Sequence, residues 1–113
     1  PTAGQHAALR ALTQGADWQV EARAIYAEVG AEAASRLDVG APEGSTFLFL
    51  NVGERLDDRG LPGLLEDCFE RGVLVAPGAS SGQDYADWVR LCFTVLPPDD
   101  VLEAVGRIQP LLA

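Results

Sequence analysis

The spacing of apolar residues changes along this chain, and that change constrains the fold more than any other feature of the sequence. Up to about residue 37, apolar residues recur at three- and four-residue steps, the spacing of one helix face. From residue 46 they gather in short runs such as "TFLFLNV", "VLVA" and "WVRLCFT", bounded by glycine, proline and polar residues. The sequence therefore predicts leading helices followed by short strands and further helices.

The first part of the chain predicts two helices. A short one runs from Thr2 to Gln14, with Thr2 and Gln5 matching a capping box and Gly15 matching a stop. A long one runs from about Asp17 to Leu37. Its apolar face is predicted to contain Trp18, Ala22, Ile25, Val29 and Ala33.

The rest of the chain predicts the order strand, helix, strand, strand, helix. The predicted strands are Thr46–Val52, Val73–Ala76 and Trp88–Val95. Pro62 and Gly72 bracket the first of these helices, and Pro97-Pro98 starts the last one. The predicted buried faces are Leu61, Leu64, Leu65, Cys68 and Phe69 in the first helix, and Val101, Val105, Ile108 and Leu112 in the last. We predict an α+β fold: a small open sheet of about three strands with helices packed on it, preceded by a long linker helix.

Composition excludes several classes of function. The chain has 113 residues and a formal net charge of −9, whereas nucleic-acid binding needs clustered positive charge. No apolar run approaches the length of a membrane span and no signal peptide is recognised, so we expect a cytoplasmic protein without a membrane partner. The two cysteines, Cys68 and Cys92, have no metal-ligand spacing and are expected to be small core residues.

All eight basic residues are arginine, and lysine is absent. Chemistry that needs a primary side-chain amine therefore cannot take place on this chain alone. The chain also lacks methionine and begins at Pro1, which leads us to expect a fragment or a processed chain.

Arg90 is the first candidate for a functional residue. In "WVRLCFT" the residues Val89, Leu91 and Phe93 fall on one side of an extended chain, and Arg90 falls on the other. A guanidinium on a rigid strand can bind a carboxylate through two parallel hydrogen bonds. The alternatives are a solvated arginine or a structural ion pair with a nearby acid, and physical chemistry alone favours these.

Other candidates have a structural explanation in each case. The loop Ala76–Gly82 could approach a ligand closely but lacks a helix directly after it, so a simple connection is favoured. His6 has no telling partner, and Asp57-Asp58 and Asp99-Asp100 each precede a helix and are expected to cap it. The aromatic residues that could line a pocket, but more usually pack in a core or interface, are Trp18, Tyr26, Tyr85 and Trp88.

Taken together, four segments resemble the C-terminal part of the class I/II, fold-type I aminotransferases that depend on pyridoxal 5'-phosphate. The segments are "STFLFLNV", "ERGVLVAPGASSG", "WVRLCFT" and "PPDDVLEAVGRIQPLL". That family shows a glycine-aromatic strand entry, a "GV-x-V-x-PG" strand and turn, and an "R-h-x-F" strand before a proline-started final helix. The long helix with its "W…R..Y" pattern is similar to the family's linker helix.

The resemblance implies roles for a few residues. Arg90 matches the arginine that binds the α-carboxylate of the amino-acid or 2-oxo-acid substrate. Pro77 and Gly78 match a structural turn, and Thr46 and Phe47 match the strand entry near the substrate. These assignments leave Arg90 as the one substrate-binding residue expected on this chain.

The chain departs from the family pattern in two places and lacks part of it. Ser81-Gly82 stands where the family often has Phe-Gly, and Val29-Gly30-Ala31 follows Tyr26 where the family often has Arg-Arg-Asp. The family's catalytic lysine, the aspartate that faces the pyridine nitrogen and the phosphate-binding residues belong to a preceding large domain. We therefore expect this chain alone to bind no pyridoxal 5'-phosphate, to contain no catalytic residue and to be inactive.

The resemblance implies that residues 1–15 form a terminal helix that normally packs on the large domain, and that residues 16–113 form the small domain. The intact enzyme is expected to be a cytoplasmic homodimer that transfers an amino group between an amino acid and a 2-oxo acid. The fragment interpretation predicts that Leu9, Leu12 and Trp18 leave exposed apolar surface. Two alternatives stay open: a non-catalytic, ligand-sensing domain of a transcription regulator, and a standalone interaction module. A basic winged-helix stretch upstream would favour the regulator, and a Ser/Thr-x-x-Lys segment within a large α/β domain would favour the enzyme.

Overall fold

Four helices and three strands form the fold in a computed structural model, which describes residues 1–113. The helices are α1 (Thr2–Gln14), α2 (Ala16–Arg36), α3 (Gly60–Glu70) and α4 (Pro98–Leu112). The strands are β1 (Phe47–Asn51), β2 (Ala76–Pro77) and β3 (Trp88–Cys92). Short 3-10 turns lie at Gly53–Arg55, Gly78–Ser81 and Gln83–Tyr85. The predicted α+β class with a small open sheet is confirmed.

The sheet is antiparallel and has the order β1-β3-β2, so β3 is the central strand. Two cross-strand pairs, Leu48 with Leu91 and Leu50 with Val89, occupy its inner face, and all four side chains are buried. Because side chains alternate along a strand, the residues between them belong to the outer face. That outer face carries the candidate site.

A single apolar core lies between the inner face of the sheet and α2, α3 and α4. It contains seventeen buried residues and no buried polar side chain. Helix α4 contributes the residues that its periodicity predicts, which are Val101, Val105, Ile108 and Leu112. Each such side chain contributes about 1.5–3 kcal/mol by leaving water, so α4 is a main stabiliser of the sheet's inner face.

Helix α2 buries only the C-terminal part of the apolar face that its periodicity predicts. Val29 and Ala33 are buried as predicted, whereas Trp18 is 66% exposed and Ile25 is 40% exposed. The fully buried residues of α2 begin at Val29, and the partly buried Tyr26 is the first residue of α2 in the chain that packs against the core. At 21 residues α2 is the longest helix, and none of the helices combines the length and hydrophobicity needed to cross a membrane.

The predicted helix caps are only partly correct. Thr2 is the first helical residue of α1 and its side chain forms no capping bond, so the capping box is wrong. Gly15 separates α1 from α2, but its N–H donates to Ala11 and its carbonyl accepts from Gln19, so α-type hydrogen bonds continue on both sides. The two leading helices therefore follow one another almost without interruption.

Strand β2 begins at Ala76 and not at the predicted Val73, and the end of α3 explains why Val73 is not part of the strand. The N–H of Gly72 donates to the carbonyl of Phe69, and the N–H of Val73 donates to the carbonyl of Cys68. With Gly72 at φ 76°, this is the Schellman arrangement that closes a helix. Because the N–H of Val73 is already bonded to Cys68, it is not available for a hydrogen bond to a neighbouring strand. Phe69, predicted to be buried, is 64% exposed.

Candidate functional site

Arg90 lies at the centre of the outer face of the sheet. It pairs with Phe49 of β1 on one side and with Ala76 of β2 on the other. Arg90 is half-buried, whereas its neighbours along the strand, Val89 and Leu91, are buried on the inner face. The central strand thus fixes the backbone of Arg90 from both sides and directs its guanidinium away from the core.

The guanidinium of Arg90 has an aromatic neighbour but no acidic partner. Its Cζ atom lies 4.6 Å from the centre of the Phe47 ring, within the range of a cation–π contact. Arg36, Arg59 and Arg107 each bind a carboxylate, whereas none of the ion pairs includes Arg90. The ion pair that the sequence left open as an explanation of Arg90 therefore does not form.

Three aromatic rings pack together beside Arg90. The Phe49 ring stacks on Trp88 with centres 5.0 Å apart, and Tyr85 meets both of them edge-on at 5.0 and 5.7 Å. Phe49 and Trp88 are held on strands, while Tyr85 is brought in by the loop after β2. The cluster ties that loop to the outer face of the sheet.

Gly78 makes the approach of this loop possible. A Cβ at this position would lie 2.6 Å from the Trp88 Cβ, 2.6 Å from the Tyr85 carbonyl oxygen and 2.7 Å from the Trp88 carbonyl oxygen. No other residue type fits there without moving backbone atoms. Ser80 closes the turn by donating its hydroxyl to the carbonyl of Pro77 at 2.8 Å. The loop Ala76–Gly82, expected to be a simple connection, thus positions part of the site.

Strands β1 and β3 and the loop after β2 border an open groove of about 430 Å³ on the outer face of the sheet. It is lined by Ser45, Phe47, Phe49, Ser81, Tyr85 and Arg90. The guanidinium is the only charged group in that lining, and the other groups are aromatic rings and serine hydroxyls. The groove can therefore bind an anion beside an apolar or aromatic group.

Ser45 is the one strained residue of this lining. Its φ of 69° lies in the left-handed region, which residues other than glycine rarely adopt. Ser45 directly precedes the Thr46–Phe47 entry into β1. The sequence offered no signal for its conformation, whereas the alternation of "TFLFLN" would have placed Phe47 and Phe49 on one face.

A larger groove of about 700 Å³ lies elsewhere, between α2 and the start of α4. It is lined in part by Glu28, Glu32 and Asp99, with Arg36 as the only cation. Arg36 already donates to Glu32 and to the carbonyl of Leu102. This groove therefore has no unpaired cation for an anionic ligand, and its volume alone does not indicate what it could bind.

The remaining candidates from the sequence lie apart from the Arg90 groove. His6 is exposed on α1. Asp57 accepts hydrogen bonds from the backbone N–H and the side chain of Arg59, the residue before α3, and α3 has no side-chain cap. Asp99 and Asp100 lie in the first turn of α4 without a capping bond, where the helix dipole favours carboxylates. Both cysteines are free thiols: Cys68 is buried and burial raises its pKa, whereas Cys92 is half-buried on the outer face rather than in the core.

The chain contains no residue suited to covalent attachment of pyridoxal 5'-phosphate, because it has no lysine. No group of three or more His, Cys, Asp or Glu side chains comes close enough to hold a metal ion.

No protein-family model matches the chain, and no curated protein or solved structure was found to match it. The aminotransferase resemblance therefore stays a prediction based on its motifs.

Proposed function

We propose that this chain is the small, carboxylate-binding domain of an aminotransferase-like enzyme that transfers an amino group between an amino acid and a 2-oxo acid. One observation carries the proposal: the half-buried residue Arg90 lines an open groove and forms no ion pair with an acid. A substrate α-carboxylate would supply the missing partner. The motif order described above supplies the enzyme class, and the cytoplasmic, homodimeric state of the intact protein stays a prediction.

The surroundings of Arg90 suit a carboxylate clamp. Its backbone is fixed on the central strand, and its guanidinium lies within cation–π distance of the Phe47 ring. A planar guanidinium then offers two parallel N–H groups to a carboxylate. Each hydrogen bond to a charged group is worth about 1.5–3 kcal/mol. In this way the chain would bind and orient the substrate beside the reacting centre.

The pyridoxal 5'-phosphate that the resemblance implies would supply an aldehyde carbon that takes up the amino group, and an electron-withdrawing ring conjugated to it. The residues of this chain do not fit a role in attaching it, since none is a lysine. The proposal therefore assigns them substrate binding alone. Attachment of the cofactor and proton transfer would belong to a further domain of the intact enzyme.

The test uses the full-length gene product that contains this chain, with Arg90→Gln as the variant. For amino-acid donors, we expect kcat/KM to fall by roughly 100-fold or more, because two charge-assisted hydrogen bonds are lost. For the corresponding primary amines, which lack the carboxylate, we expect a change of no more than about threefold. Steady-state kinetics with both donor series measures the two effects.

Arg55→Gln is the matched control, since Arg55 is an exposed arginine that takes part in no ion pair and does not line the groove. It should leave both donor series unchanged. An equal loss for amino acids and amines in Arg90→Gln would disprove the clamp. Absence of amino transfer with every donor would disprove the enzyme and favour the ligand-sensing alternative.

A further inference from the structure

We infer, on the basis of the proposed function, that the Arg90 groove selects substrates with an aromatic side chain over substrates with an acidic one. Phe47, Phe49 and Tyr85 line the same groove as the guanidinium. A carboxylate held by Arg90 thus places the rest of its molecule against aromatic rings. The substrate class follows from what those rings and their neighbours can accept.

The groove offers one positive charge and no second one. A substrate with two carboxylates therefore finds a cationic partner on this chain for only one of them. Arg90 is the only cation of the lining, and the hydroxyls of Ser45 and Ser81 are, with the phenol of Tyr85, its only other polar side-chain groups. An acidic side chain would meet the negative faces of aromatic rings here and is therefore disfavoured.

Packing within the chain leaves part of the aromatic surface free. One face of the Phe49 ring is covered by its stack on Trp88. Phe47 and Tyr85, in contrast, each remain 38% exposed although they border the groove. Aromatic pairs prefer offset-stacked or edge-on contacts, which these two rings can make with an aromatic substrate in the groove.

The size and openness of the groove also fit a large side chain. Its volume of about 430 Å³ lies within the range of small-molecule sites. An alanine side chain would leave most of it filled with water. An aromatic amino acid would cover the exposed parts of Phe47 and Tyr85 while Arg90 binds its carboxylate.

The test compares phenylalanine, aspartate and alanine as donors for the full-length gene product. We expect kcat/KM for phenylalanine to exceed that for aspartate by roughly 100-fold or more. Tyr85→Leu and Phe47→Leu should each lower kcat/KM for phenylalanine by roughly tenfold while changing alanine by less than about threefold. Phe69→Leu is the matched control, because Phe69 is 64% exposed on α3 and does not line the groove, so this change should leave all three donors unchanged.

A binding measurement provides a second readout that does not depend on turnover. By isothermal titration we expect 3-phenylpropionate to bind the full-length protein at least roughly tenfold more tightly than succinate, and Tyr85→Leu to remove most of that difference. Equal loss for phenylalanine and alanine in the leucine variants would show a structural role for the rings and overturn the inference.

The outcomes separate the inference from the proposed function on which it rests. If aspartate is preferred and Arg90→Gln still impairs amino acids but not amines, the aromatic selectivity is wrong and the clamp is retained. If Arg90→Gln impairs amino acids and amines equally, the clamp is wrong and the inference falls with it.

Discussion

At the scale of single residues, Gly78 is the position where the structure tolerates substitution least. The space that a Cβ would need is occupied by carbonyl oxygens and by the Cβ of Trp88, none of which is the far end of a flexible side chain. We expect Gly78→Ala to destabilise the protein by roughly 1–3 kcal/mol, the usual cost of overpacking. Urea unfolding monitored by circular dichroism measures the loss.

Gly106→Ala provides the control for this substitution. Gly106 lies within α4 and is exposed, and a Cβ added there would meet no other atom within 4 Å. Alanine there should stabilise the protein by about 0.5–1 kcal/mol, because glycine is unfavourable in a helix interior. Opposite signs are thus expected for the same chemical change, and destabilisation of equal size at both positions would contradict the close-approach argument for Gly78.

Arg90 shows which part of a site a sequence can predict. The alternation of β3 was enough to place Arg90 opposite the core, because a strand has a side-chain period of two. Its neighbours come from a strand more than forty residues away and from a loop, so no local pattern could name Phe47 or Tyr85 as partners. Physical chemistry alone favoured a solvated or ion-paired arginine, and the contact with Phe47 and the missing acid became visible only in the fold.

At the scale of elements, helices α3 and α4 were predicted well because their ends carry local signals. Pro98 starts α4, Gly72 closes α3, and the apolar spacing of α4 gives its buried face. Strand β2 was predicted to begin too early, at Val73, whose N–H is instead bonded to the end of α3. In α2, periodicity shows which side is apolar but not how far the sheet extends beneath it, so spacing alone does not give the point at which burial begins.

The start of α3 is held by an acid–base cluster that predicts a dependence of stability on pH. Arg59 donates to Asp57 at 2.9 Å and to both carboxylate oxygens of Asp67 at 3.0 and 2.7 Å. These hydrogen bonds from Arg59 lower the pKa of Asp57 and of Asp67 below the ordinary value of 3.8. Their contribution to stability is therefore present above that value and is lost as the pH falls through the lowered pKa values.

We expect Arg59→Gln to abolish this contribution. The difference in urea midpoint between the wild-type protein and the variant should be largest near neutral pH and should shrink below about pH 4. Arg23→Gln removes the same charge without breaking an ion pair and serves as the control. A wild-type-to-Arg59→Gln difference that stays constant from neutral to acidic pH would show that the carboxylates are not held in this way.

At the scale of the whole molecule, the chain is elongated rather than spherical. Its radius of gyration is 16.5 Å, whereas a compact chain of this length is expected to have about 13 Å. Its longest dimension is 52 Å, and α1 and α2 together would span about 50 Å at the usual rise per residue. The leading helices therefore extend beyond the core formed by the sheet, α3 and α4.

The projecting part leaves apolar surface uncovered. Helix α1 has no buried residue, and Leu9, Leu12 and Trp18 are 60%, 84% and 66% exposed. The exposure predicted from the sequence is thus confirmed for these residues. The core, in contrast, draws its residues from Val29 onwards, so the folded unit does not depend on α1.

Deletion of residues 1–14 tests this division of the molecule. Because α1 contributes nothing to the core, we expect the melting temperature of the truncated chain to stay within roughly 4 °C of the intact chain. Self-association, measured by analytical ultracentrifugation, should decrease because Leu9 and Leu12 are removed from the exposed surface.

Deletion of residues 100–113, a segment of equal length, removes Val101, Val105, Ile108 and Leu112 from the core and should prevent folding. A truncation of 1–14 that unfolds the chain as the C-terminal deletion does would mean that α1 stabilises the core, and the projecting arrangement would be wrong.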